Sequence, residues 1–301
     1  MAPPERRSPS RIGESLGTFW RVLRANPLSF LGFLMVAIIC LTALVIVVAP
    51  HLLVPYGPQT NTGAYSQAPS GKHLFGTDAN GFDIYSNVML ALPLDLGIGI
   101  AIAGAALISG GALGLVAGFY DRPGSVGAAV SVTIMRITDI FLSFPSLILA
   151  LAITRALGIG VWETVLAIGL TWWPFYVRLV RGEVLAIKNL PYVTAARAAG
   201  VRENRILLRH VVRNLLEPIV VYFTLDIGTV LVTYSTIGFI GVASKYPGPQ
   251  PEWGAMLDAG RNFVVQAWWL EIFPGLAIVA CALSVTTIGR YLRQRWEGET
   301  G

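Results

Sequence analysis

Apolar runs long enough to cross a lipid bilayer recur along this chain, and no other feature restricts its fold as strongly. Six can be marked: about Leu28 to Pro50, Leu92 to Phe119, Val132 to Ile153, Val161 to Leu179, Leu215 to Val242 and Trp268 to Tyr291. Roughly 20 apolar residues in a helix cross the ~30 Å hydrocarbon core of a membrane. Of the 301 residues 54% are hydrophobic and 13% charged, against about 25% charged in an average soluble domain. A water-soluble fold would therefore lack polar surface, and the expected class is an all-α polytopic membrane protein with six transmembrane helices. The basic N-terminal stretch up to Pro27 has the charge of a signal peptide. The run after it is too long for such a peptide and lacks a small-x-small cleavage site, so a retained first span is expected. Cys40 and Cys281 lie far apart inside apolar runs with no CxxC or Cys/His spacing. They are read as small core residues, with neither a disulfide framework nor a metal site implied.

The formal charge of +5 does not gather on one basic face, which argues against a nucleic-acid partner. Eighteen of the twenty-two Lys and Arg fall on one side of a six-span arrangement, leaving Lys72, Arg155, Lys245 and Arg261 on the other. The positive-inside bias makes the basic side cytoplasmic and puts both termini there. The expected organisation is a cytoplasmic segment 1–27, a first span 28–50, an external loop 51–91, a transmembrane domain 92–291 containing a cytoplasmic loop 181–214, and a cytoplasmic tail 292–301. The first external loop is rich in Pro, Gly, Asn and Thr, and Tyr56, Tyr65, Phe75 and Tyr85 give it side chains to pack. A second external segment contains YPGPQPEWG, whose prolines forbid a regular helix. Trp253, Trp268 and Trp269 are expected either in an interfacial aromatic belt or on a surface that docks an external partner. In the second run Gly110, Gly114 and Gly118 recur every four residues, with Ala106 continuing the row. Such a small-residue stripe predicts close helix–helix packing and by itself no function.

The most patterned segment is RLVRGEVLAIKNLPYVTAARAAGVRENRILLRHVVRNLLEPIV. Pro191 suits the first turn of a helix, and the helix formers that follow end at Gly200, a residue suited to the position after a helix. Ile206, Leu207, His210 and Val211 then form an apolar stripe flanked by Arg202, Arg205, Arg209 and Arg213, so a second amphipathic helix at an angle is expected. Such an elbow can lie on anionic lipid or insert into a partner's groove, and the small side chains of Ala195, Ala196, Ala198 and Ala199 favour the groove.

TAARAAG, followed by a basic helix and LLEPI, resembles the EAA loop of ABC importer permeases, in which Glu-Ala-Ala, three residues and Gly precede an Ile or Leu with Pro. The matching positions are Thr194, Ala195, Ala196, Gly200 and Pro218. Thr194 stands where the family has Glu, and Glu217 precedes the proline. HLFGTDANGFDIYSNVM, MRITDIFLSFPSLILAL, TWWPFYVRLVRGEVL and EWGAMLDAGRNFVVQAWWLEIFPGLAIV also look like blocks of the peptide-transport permeases, in order, from about Asn26 to Tyr291. The chain is similar to the second of the two permeases in dipeptide, oligopeptide, nickel and glutathione importers. That resemblance implies a type I importer permease fold in the inner or plasma membrane, a sister permease, two ABC ATPase subunits and an extracytoplasmic substrate-binding protein. It implies ATPase coupling through Tyr192, Thr194, Ala195, Ala196, Ala199, Gly200, Val201 and Pro218. Oligopeptides or dipeptides are the expected cargo, with oligosaccharides or nickel chelates the alternative. The sequence has no GxxxxGK[ST] loop, so ATP and Mg are expected on the partner subunits, and no cofactor is expected on this chain.

Asp95, Asp139 and Asp226 are ionisable residues in apolar context, each costing about 2.5 to 3.5 kcal/mol at mid-bilayer. Asp139 follows Arg136 by three residues, which suggests a local pair. Asp226 sits deeper and is either a pathway residue or hydrogen-bonded to the fourth or sixth span; Asp226 and Asp139 are the pathway candidates. His210 is read as a surface or interface residue, and His51 and His73 have no ligand-like partners close in sequence. A polytopic enzyme is a rival class, yet no GxSxG, HExxH or paired catalytic Asp motif is present. A self-sufficient secondary transporter is another; Pro145 and Pro174 interrupt spans, but one elaborate cytoplasmic elbow fits that class poorly.

Overall fold

The computed structural model describes residues 27–300, with side chains over 30–294. The N-terminal basic segment expected on the cytoplasmic side lies outside the described residues, as does the side chain of Arg295. The helices are α1 (Pro27–Val48), α2 (Ile84–Phe119), α3 (Val126–Leu142), α4 (Ser146–Leu157), α5 (Val161–Ile187), α6 (Pro191–Ala198), α7 (Glu203–Ile206), α8 (Val212–Phe239), α9 (Trp253–Gly260) and α10 (Trp269–Thr300). Two isolated β-bridges, Asn61 with Phe82 and Thr77 with Asp83, lie in the long loop before α2.

Four helical stretches are long and apolar enough to cross a membrane: Phe30–Val48, Ile84–Phe119, Glu203–Phe239 and Trp269–Gln294. The third apolar run, expected as one straight span, is broken into α3 and α4, which meet at 83°. Pro145 explains the break, because its ring cannot continue a helix and it biases Phe144 toward extended backbone. Counting that bent pair as one span makes five. The remaining run lies in α5, which is long enough at 27 residues but carries Glu163, Arg178, Arg181 and Glu183 and is too polar to join the others.

Three apolar clusters stack along α2. Ile84, Val88 and Leu92 pack with Trp253, Met256, Trp269 and Cys281 at its first turns. Ile98, Ile102 and Ala106 pack with Ile168, Trp172, Tyr176 and Tyr234 in the middle. Phe119 closes the far end against Val184, Val193, Ile206, Val211 and Leu215. The glycine row turns toward α5: Gly110, Gly114 and Gly118 are all buried. A Cβ on Gly114 would stand 2.7 Å from the Val177 carbonyl oxygen, one on Gly118 would stand 2.8 Å from Val184 Cβ, and one on Gly110 would overlap the Trp173 carbonyl. Only glycine permits this approach, and close approach is what holds helices together where lipid is as apolar as leucine.

Helix α1 keeps large apolar side chains exposed, Ile38, Leu41, Leu44 and Val47 among them, the mark of a helix whose solvent is lipid. Cys40 shares that exposed surface and is not the core residue expected, whereas Cys281 is buried. The start of α2 is pinned by Asp83, whose Oδ2 accepts from the Ser86 backbone N–H at 2.8 Å and from Ser86 Oγ at 2.7 Å. Its other oxygen meets Nδ1 of the buried His73 at 2.8 Å, a partner ten residues along the chain.

Candidate functional site

The elbow is built from α6 and the turn after it. Leu190 is extended and Pro191 opens the helix, so the missing proline N–H leaves no helical bond unmade. The Gly200 N–H donates to Arg197 O at 3.1 Å and the Val201 N–H to Ala196 O at 3.1 Å, the paired bonds of a Schellman motif. Gly200 adopts φ +74°, a left-handed conformation that glycine reaches without Cβ strain. Val193 is fully buried in the apolar cluster beneath. Tyr192, Thr194, Ala195, Ala199 and Gly200 point outward, and Ala196 and Val201 are half-buried. Thr194 Oγ1 donates to Pro191 O at 2.8 Å, so its hydroxyl is spent on its own helix. Five of these positions therefore lie on the outer surface of a knob and two at its half-buried edge, and the shape of the knob is set from within. Pro218 does not join them: it is buried inside α8. The second arm is not separate from the next span, because α7 runs through a π turn at Leu207–Val211 into α8. A rigid continuation of this kind ties the elbow to a long span.

A carboxylate that the sequence did not mark organises the arm. Glu203 Oε1 receives Arg122 at 2.7 Å and Arg197 at 3.0 Å, joining the α2–α3 connection to the elbow. Burial works against ionising Glu203, yet the two guanidiniums outweigh it and hold the carboxyl below the usual glutamate range. Beside it Arg181 meets Asp121 at 2.8 Å, and Lys188 Nζ donates to Gly118 O at 2.8 Å and Asp121 O at 3.0 Å. The available signal was one acid in the first turn of a basic helix, where the helix dipole favours it.

The pathway candidates separate. Asp139 pairs with Arg178 of α5 at 2.7 Å, with both side chains about half exposed, rather than with the nearby Arg136. Asp226 accepts from Trp172 Nε1 at 3.0 and 2.9 Å and from Tyr176 OH at 3.0 Å. It borders an open cleft of about 220 Å³ with Phe175, Tyr176, Leu179 and Tyr222.

At the opposite end from the elbow, α9 folds back into the bundle. Trp253 is 1% exposed and its Nε1 donates to Val88 O at 3.0 Å. Trp269 is buried too, with Nε1 donating to Thr77 O at 3.0 Å. Neither belongs to an interfacial belt, because each indole is buried and its N–H donates to a backbone carbonyl inside the fold; Trp268 alone of the three is exposed. The Trp253 N–H donates to Asp95 Oδ2 at 2.9 Å, and Tyr234 OH donates to Glu252 Oε2, with Asp95 and Glu252 both fully buried. Burial raises the Glu252 carboxyl above the usual range, opposed by the Tyr234 hydroxyl.

A bundle of long apolar helices packed along α2, with a basic elbow continuous with one span, defines an integral membrane protein. The chain belongs to the family described as binding-protein-dependent transport system inner membrane component, which it matches over residues 110–298; residues 16–69 match the N-terminal TM domain of oligopeptide transport permease C. It is 36% identical to a dipeptide transport system permease protein of Alkalihalophilus pseudofirmus over 91% of this chain and 86% of that protein. It is 35% identical to a probable D,D-dipeptide transport system permease protein of Escherichia coli over 93% of this chain and 90% of that protein. Its fold is similar to a chain in an inward-facing structure of the MetNI methionine ABC transporter, with TM-score 0.56 and 20% identity over 69% of this chain and 95% of the other. The protein is thus an inner-membrane permease subunit of a binding-protein-dependent ABC importer.

Proposed function

We propose that this chain forms one half of the translocation pathway for dipeptides or oligopeptides and receives its driving force through the elbow. The observation that carries the cargo class is the similarity, over most of both chains, to permeases named for dipeptide transport. A relative at 35% identity is named for glutathione, itself a tripeptide. Oligosaccharides or nickel chelates remain the alternative cargo of the same machinery.

The partners in this reading are a sister permease, two ABC ATPase subunits that bind ATP and Mg, and an extracytoplasmic binding protein; this chain catalyses nothing itself. The membrane arrangement is six spans with α5 and the bent α3–α4 pair each counted as one, both termini cytoplasmic, and the loop 181–214 facing the ATPases. The long loop 51–91 and α9 then face the binding protein. The elbow formed by α6 and the turn after it, with Tyr192, Thr194, Ala195, Ala196, Ala199, Gly200 and Val201, sits in an ATPase groove. Its movement passes along the continuous α7–α8 arm into the bundle, and Pro218 acts from inside α8. Coupling requires two global states that ATP and cargo each bias. Asp226 lines the pathway, and Asp139 with Arg178 steadies α3 against α5.

The experiment is reconstitution of the tagged, co-purified complex in proteoliposomes with loaded binding protein. Dipeptide uptake that requires ATP and all subunits is expected. Ala196→Asp in the elbow is expected to leave assembly intact while abolishing cargo-stimulated ATPase activity. Unaltered stimulation in an assembled Ala196→Asp complex would sink the coupling assignment, and uptake of an oligosaccharide but no peptide would select the alternative.

A further inference from the structure

Among the described acidic side chains in the bundle, Asp226 has only neutral hydrogen-bond donors and borders an open cleft. Asp121, Asp139 and Glu203 each hold an arginine. Asp95 and Glu252 are sealed in the interior. Asp226 is only partly buried, its donors are all neutral, and no described lysine, arginine or histidine forms an ion pair with it. Three aromatic rings, Phe175, Tyr176 and Tyr222, line the cleft beside it. We propose that this cleft is a binding site for a primary ammonium group, the free N-terminus of a peptide in transit. The proposal rests on the peptide-importer reading and adds to it the group on the cargo that this chain recognises.

The chemistry selects that ligand over others. A carboxylate offers about four lone-pair positions. The single indole N–H of Trp172 is shared between Oδ1 and Oδ2 and Tyr176 OH donates to Oδ2, so the side of the carboxylate that spans both oxygens is already taken. A guanidinium binding through two nitrogens needs both oxygens at once, whereas an ammonium needs one lone pair on one oxygen. The remaining ammonium surface would meet the aromatic side chains that line the cleft, a residue type whose ring faces attract cations through their quadrupole. A hard divalent cation needs about six oxygen ligands, and no group of three His, Cys, Asp or Glu suited to a metal occurs among the described residues. The cleft, about 220 Å³, is several times the ~30 Å³ of a liquid water, enough for an amino terminus and the residue carrying it. Trp172 and Tyr176 hold the carboxylate in place from one side, so the charge is fixed before the cargo arrives. A single weak site of this kind lets a peptide pause without trapping it.

The test uses the assembled complex in nanodiscs without binding protein, so that only the membrane subunits can discriminate. Equilibrium dialysis with radiolabelled Ala-Ala, N-acetyl-Ala-Ala and ethylguanidinium reads the preference. Ala-Ala is expected to bind about tenfold more tightly than either of the others. Asp226→Asn is expected to remove that preference, Tyr222→Ala to weaken Ala-Ala binding, and Tyr222→Phe to preserve it. If Asp226→Asn fails to assemble on gel filtration, the Tyr222 pair carries the test. Equal binding of Ala-Ala and its acetylated form by the wild type, binding of neither, or an unchanged preference in assembled Asp226→Asn overturns the ammonium site. ATP-dependent uptake of Ala-Ala by wild-type proteoliposomes with binding protein is measured alongside. Its absence would refute the importer reading itself, whereas uptake with no ammonium preference refutes only the site.

Discussion

Replacing Gly114 by alanine should loosen the packing at the centre of the bundle, by an amount the geometry sets. An ideal Cβ there stands 2.7 Å from the Val177 carbonyl oxygen, 3.0 Å from Val180 Cβ and 3.2 Å from the Arg181 backbone nitrogen. Two of those atoms are backbone, so no rotamer change relieves the contact and α2 must move away from α5. Bringing 2.7 Å to the 3.4 Å where ordinary contact begins requires a 0.7 Å separation. A gap of 0.5–1 Å forfeits roughly a quarter to a half of each dispersion well it opens, and overpacking of this kind costs about 1–3 kcal/mol. Against that, alanine is better than glycine in a helix by about 1 kcal/mol. Gly97, on the same helix, has nothing within 4 Å of its Cβ position, so Gly97→Ala receives the propensity gain without the clash. Gly114→Ala should therefore be less stable than Gly97→Ala by about 1–3 kcal/mol. SDS titration of the purified chain in mixed micelles, followed by far-ultraviolet circular dichroism, measures the difference. Two variants of equal stability would refute the claim that the glycine row is a contact surface.

Four further perturbations test other parts of the structure. A double-mutant cycle on Arg122→Ala and Glu203→Ala should give a coupling of about 0.2–1 kcal/mol, the range for partly exposed pairs, read by thermal unfolding; zero coupling would remove the tie between the α2–α3 connection and the elbow. Because the Glu203 carboxyl is held below its ordinary range, its stabilising contribution is present above the unfolded value and lost as pH falls through the folded one; Glu203→Gln should flatten that acid-side dependence, and an unchanged profile would contradict it. Glu252 is raised instead, by burial, so its penalty is absent below about pH 4.5 and grows as pH rises toward the folded value. Glu252→Gln should then be more stable than wild type at pH 8 and equal to it at pH 4, and a loss at both would show that the carboxylate form is needed. Gly200→Val places a β-branched residue at φ +74° and should destabilise the elbow by about 1–2 kcal/mol, seen as faster proteolysis after α6 with the bundle intact; unchanged cleavage would mean the turn tolerates another conformation.

The all-helical class, the lipid-facing character, the glycine row and the Pro191-to-Gly200 elbow were all legible in the sequence. Each follows from signals that act within a few residues: runs of apolar side chains, spacing of four, a proline at a helix start and a glycine at its end. Tertiary structure decided the partners. Asp139 lies three residues from Arg136 but binds Arg178, 39 residues away. Trp253 has the look of an interfacial residue but donates its indole to Val88 and its backbone N–H to Asp95, 165 and 158 residues away. Glu203 and Glu252 lay inside patterned segments that gave neither a role; one became a clamp and the other a sealed acid because of what packs around each. Periodicity tells a helix which face to bury, but a buried polar group must find a donor or acceptor wherever the folded bundle offers one. Those matches are set by which helices lie side by side, and that is written only in the packing of the whole chain.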